Sequence, residues 1–89
     1  MINVDSKKFV DSVENILKPY APVLTKSIIK RQLIVIEADR DNLTHKQAKD
    51  FIMRVGGALR IFLGEDDLNK VKHMMMAEFR RYAPEYFQQ

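Results

Sequence analysis

Eighty-nine residues, 46% of them apolar and 30% charged, make one domain of marginal size, and such a domain buries only roughly 60–65% of its unfolded surface. Cysteine is absent, which excludes disulfides and thiolate metal sites and makes a cytoplasmic location the expectation. The net charge of +3 is a mild basic excess that permits an acidic partner without demanding one.

Met1-Ile2-Asn3-Val4-Asp5 lacks the basic-then-apolar pattern of a signal peptide. No apolar run approaches the ~20 residues that span a bilayer, so no membrane partner is expected. Helix 1 is predicted over about 5–17. Phe9, Val10, Val13, Ile16 and Leu17 recur at helical spacing on one side, and Asp5 or Ser6 can cap the start. Pro19 ends it, because proline disfavours helical geometry in the residue before it. Lys18-Pro19-Tyr20-Ala21-Pro22 is then a short, stiff turn that favours an antiparallel second helix.

Helix 2 is predicted over about 22–39, with Pro22 suited to its first turn. Leu24, Ile28 and Val35 form one apolar line, Ile29, Leu33 and Ile36 another, and Ile34 points a third way. A helix apolar on most sides is expected to be central and buried. Leu33-Ile34-Val35-Ile36 also fits a strand by propensity, but no partner strand is visible.

Helix 3 is predicted over about 45–63. Thr44 and Gln47 have the spacing of a capping box, and Gly64 closes the segment. Its main stripe is Ala48, Phe51, Ile52, Val55, Leu59 and Phe62, while Met53, Gly57 and Ile61 stand on the opposite face. Gly56-Gly57 costs a helix interior roughly 2 kcal/mol relative to alanine. Close approach of a partner helix over Gly57 would compensate; the other reading is a kink or break at the pair. The continuous helix is the expectation.

Helix 4 is predicted over about 65–82. Glu65, Asp66 and Asp67 in its first turn and Arg80 and Arg81 in its last both complement the helix dipole. Leu68, Val71, Met75, Phe79 and Tyr82 form its stripe, which Met74 and Met76 widen on either side. Pro84 stops it, and residues 83–89 are expected to form a loose tail.

Motifs for chemistry are sparse. Glu37, Asp39 and Asp41 suggest a cation loop, but an EF-hand register from Asp39 places Leu43 and Thr44 where a ligand and a glycine are required. His45 and His73 are not paired at helical spacing and read as surface residues. Few serines or threonines lie beyond helix 1, and Thr44 is accounted for as a cap. The helix carboxylates find local basic partners instead: Glu14 with Lys18, Asp50 with Arg54, Asp66 with Lys70. Glycine spacings for a P-loop or dinucleotide site are absent. No enzymatic activity, cofactor or metal is therefore expected.

The fold expected is an all-α, four-helix bundle-like single domain with helices 2 and 3 central. Its apolar surface exceeds what a monomer of this size needs to cover. The functional expectation is a non-enzymatic interaction domain that forms a homo-oligomer, with a dimer favoured, or binds a protein partner through helix packing. The contact ridge is Met53, Gly57 and Ile61, joined by Met74 and Met76; neighbouring exposed methionines suit a partner groove. The alternative is a small nucleic-acid-binding protein. It would use Lys70, His73, Arg80 and Arg81 on the back of helix 4, extended by Lys26, Lys30 and Arg31 on helix 2.

Overall fold

In a computed structural model that describes residues 5–83, the chain forms α1 (Ser6–Leu17), α2 (Thr25–Val35), α3 (His45–Leu59) and α4 (Glu65–Tyr82). No strand is formed among the described residues, so Leu33-Ile34-Val35-Ile36 is not one: α2 ends within it. The Cα radius of gyration, 12.2 Å, matches the about 12 Å of a single folded domain of this length.

The helices close a ring. α1 packs on α2 and α4, and α3 packs on the same two helices, so α2 and α4 stand diagonally across from each other. α1, α3 and α4 bury most of the stripe that periodicity marks on each. Phe9, Val10, Val13 and Leu17 of α1 meet Ala48, Phe51, Val55 and Leu59 of α3, and Val71, Met75 and Phe79 of α4, all fully buried. Phe9 is the hub. Its ring stands 6.0 Å from Phe51 in an edge-to-face arrangement and 6.1 Å from Phe79. Aromatic pairs at such separations add about 0.5–1.5 kcal/mol beyond their area burial.

No helix is central, which corrects the expectation for helices 2 and 3. In a ring each helix touches two neighbours and keeps an outward face. On α2 the line Ile29, Leu33 and Ile36 turns inward with Ile28, while Ile34 and Val35 are 65% and 46% exposed. Excess apolar surface on α2 is therefore not core.

Three helix boundaries also differ from expectation. α2 starts at Thr25, not Pro22: residues 22–24 form a turn in which Leu24 and Thr25 donate their amides to the Ala21 carbonyl, and the Thr25 hydroxyl donates to the same oxygen at 2.6 Å. α2 stops at Val35 rather than residue 39. Glu37 has φ 55°, and its amide donates to Ile34 O while that of Ala38 donates to Leu33 O. This is a Schellman ending with glutamate where glycine is usual, so the sequence carries no glycine to mark it. α3 stops at Leu59, four residues early. The amides of Phe62 and Leu63 both turn back to the Leu59 carbonyl. Gly64 then serves as the N-cap of α4, with φ −65° and ψ 166°, rather than as a left-handed end to α3.

The capping box of α3 forms as expected. Thr44 Oγ1 accepts from the Gln47 amide at 3.0 Å, and Gln47 Oε1 accepts from the Thr44 amide at 2.9 Å. α3 runs unbroken through Gly56-Gly57. Of the expected loose tail, Ala83 is fully buried and continues the hydrogen bonding of α4 through Phe79 O; residues 84–89 lie outside the described residues.

Candidate interaction surfaces

The two glycines of α3 divide their work. Gly56 faces α4: a β-carbon there would lie 3.3 Å from Lys72 Cε, so the bare backbone lets the Lys72 stem lie close. Gly57 faces outward, and a β-carbon there would meet nothing within 4 Å. No other part of the described chain fills the notch over Gly57. It opens instead onto a groove of about 330 Å³ between α3 and α4, lined by Ile52, Met53, Gly57, Arg60, Lys72 and Met76.

The groove gathers three of the five residues of the expected ridge: Met53, Gly57 and Met76. Met53 is 65% exposed, whereas Met76 is half-buried with its inner side on the core. Ile61 is not on α3 at all, because the helix ends at Leu59; it stands in the following turn at 82% exposure, outside the groove. Phe62 in the same turn is exposed as well, although its spacing marked it for the core. Met74 sits two positions from Met76, about 200° around α4, and so lies on the other flank of that helix. Only Met75 of the methionine triplet is fully buried.

The basic residues fall into two sets. Lys70, His73, Arg80 and Arg81 are all exposed on the outer face of α4, where the Arg81 guanidinium lies 5.4 Å from the Tyr82 ring centroid. Lys26, Lys30 and Arg31 are exposed on α2. Because α2 and α4 are diagonal in the ring, their outward faces look in opposite directions. The two sets are separate small patches rather than one phosphate track.

One ion cluster is tertiary. Arg40, in the loop after α2, donates to Asp11 Oδ1 at 2.6 Å and Glu14 Oε1 at 2.7 Å, both on α1. The hydrogen bond to Asp11, and then that to Glu14, raise the guanidinium pKa above arginine's ordinary value. Glu14 is thus committed to Arg40 rather than to Lys18, whereas the expected Asp50–Arg54 pair forms at 3.3 Å. Spacing within one helix could not have found Arg40, which lies 26 positions beyond Glu14. Among the described residues no group of three or more histidine, cysteine, aspartate or glutamate side chains is placed to hold a metal ion. None of the described helices is long and apolar enough to cross a membrane.

No family model matches the chain, and no curated protein or solved structure resembles it significantly.

Proposed function

We propose that this domain is a non-catalytic interaction module that pairs with a second copy of itself through the α3–α4 groove. The observation that carries the reading is the open notch at Gly57. A glycine in the interior of a helix costs about 1 kcal/mol relative to alanine. At Gly57 nothing within the described fold uses the missing side chain. A neighbouring helix would use it, because a bare backbone lets helix axes approach closely. Met53 and Met76 bound the notch with adaptable side chains, and Ile61 and Phe62 in the turn after α3 are exposed apolar side chains as well. A two-fold pairing presents the same groove from both copies. It would also supply burial that an 89-residue chain lacks alone.

The test is the light-scattering mass of the purified chain at roughly 50 µM, a concentration well above a micromolar dissociation constant. A mass twice the 10.4 kDa of the chain is expected. A β-carbon at position 57 meets nothing within 4 Å, and Gly57→Leu extends from there into the open groove, so it should return a folded monomer. A monomer at that concentration, unchanged by Gly57→Leu, counts against self-association. The ultraviolet absorbance ratio of the same peak reports any nucleic acid carried with the protein.

A further inference from the structure

The outward face of α2 carries a second apolar surface that the α3–α4 groove does not involve. Ile34 and Lys30 form a ridge four positions apart on this helix. A trough lies on each side of it. The first, about 570 Å³, lies toward α1: the buried Ile29 and Leu33 close its bottom, Lys26, Lys30 and Ile34 line one side, and Glu14 and Arg40 line it as well. The second, about 430 Å³, is bounded by Ser27, Arg31 and Val35 on the far side of the same ridge. A ridge at spacing four between two troughs is the relief into which the side-chain rows of another helix interlock.

Charge selects the occupant. Lys26, Lys30 and Arg31 are exposed, and none makes an ion pair among the described residues. Arg40, at the other end of the first trough, is already taken by Asp11 and Glu14. The unneutralised charge along the ridge is therefore positive and the floor beneath it is apolar. A partner of matching chemistry offers apolar side chains to the troughs and carboxylates to the lysines. A concave, ridged surface admits single inserted side chains, which favours a peptide helix over the flat surface of a lipid bilayer.

We propose that the outer face of α2 is a docking site for an acidic amphipathic helix, with the exposed Ile34 and Val35 receiving its apolar side chains and Lys26 and Lys30 its carboxylates. The site is independent of the α3–α4 groove, and its failure would leave the self-association reading untouched.

The full chain, labelled with nitrogen-15, is titrated with a synthetic peptide of about 14 residues, roughly four helical turns. The peptide carries leucine along one face and glutamate on the rest. A second peptide has lysine in place of every glutamate. Anionic phosphatidylserine vesicles and a short DNA duplex complete the series. The expected result is saturable binding of the glutamate peptide, with amide shifts centred on Lys26, Lys30 and Ile34, and no response to the lysine peptide. Lys26→Glu with Lys30→Glu should weaken binding about tenfold or more, in line with charge pairs at an interface, and added salt should weaken it too. Ile34→Asp should remove it. All three positions are exposed, so circular dichroism and the melting temperature should stay unchanged. Absence of binding up to about 1 mM, where the interaction would be worth only about 4 kcal/mol, overturns the proposal. So does equal binding of the lysine peptide, or shifts centred on Met53 and Gly57. A response to vesicles or DNA alone, with none to the glutamate peptide, overturns it as well.

Discussion

The backbone amide of Leu43 donates to the Ser6 hydroxyl at 2.7 Å, and this buried bond joins the loop after α2 to the first turn of α1, 37 positions away. Ser6 was readable as a helix cap; its placement makes it a tertiary acceptor. Removing the hydroxyl leaves a buried N–H with no partner. Ser6→Ala should therefore lower unfolding free energy by about 1–3 kcal/mol, the cost of orphaning a buried donor. Urea denaturation measures it. A loss within a few tenths would mean that water reaches Leu43.

Arg40 binds the same loop to α1 a second time, through Asp11 and Glu14. The cluster is partly exposed, so its contribution is modest. A double-mutant cycle on Arg40→Met and Glu14→Gln should return a coupling of about 0.5–1 kcal/mol that shrinks as salt is added. The raised Arg40 pKa fixes the sign of its pH dependence. The contribution is complete below arginine's ordinary pKa and is lost as pH rises through the higher folded value. The guanidinium thus adds no slope to stability near neutrality.

Glu37 holds φ 55° to close α2. A left-handed conformation costs a side-chain-bearing residue roughly 1–2 kcal/mol, part of which glycine gives back through its freer unfolded chain. Glu37→Gly should raise stability by about 0.5–1 kcal/mol, and Glu37→Val should lower it by more, because β-branching is least tolerated there. Thermal melts of the three proteins rank them. The ranking glycine above glutamate above valine is expected, and any other order removes the strain account.

Gly56 and Gly57 share a helix interior but not an environment. Gly57→Ala adds a methyl to open space and should gain about 0.8–1 kcal/mol of helix propensity in the monomer. Gly56→Ala places its methyl 3.3 Å from Lys72 Cε, so the lysine stem must yield by a few tenths of an ångström. Its gain should be smaller. The comparison is made by chemical denaturation at low protein concentration, where self-association is not in play. Equal gains would show that the Lys72 stem moves freely.

Much of the fold was legible because burial on a helix has a fixed period. Phe9, Val10, Val13 and Leu17, then Ala48, Phe51, Ile52, Val55 and Leu59, then Leu68, Val71, Met75 and Phe79, all lie where their spacing puts them. The capping box at Thr44 and Gln47 was legible for a similar reason, since both bonds are local. Helix ends were less so. Glu37 closes α2 with a backbone conformation that its residue type does not announce, and residues 60–63 turn without glycine or proline. The candidate ridge was half legible. Met53 and Gly57 share a helix face, but Ile61 lies beyond the end of α3, and of Met74 and Met76, which the spacing sets on opposite flanks of α4, only Met76 reaches the groove.

The sequence by itself determined four helices, the inward stripes of α1, α3 and α4 and the start of α3, because these depend on residues within a turn or two of one another. The tertiary structure alone decided that the helices form a ring in which none is buried on all sides. It alone left the notch at Gly57 open, set the basic residues of α2 and α4 on opposing sides, and brought Ser6 to Leu43 and Arg40 to Glu14. These depend on which helix faces meet, and a period of 3.6 residues marks the buried face of each helix without naming the helix that covers it.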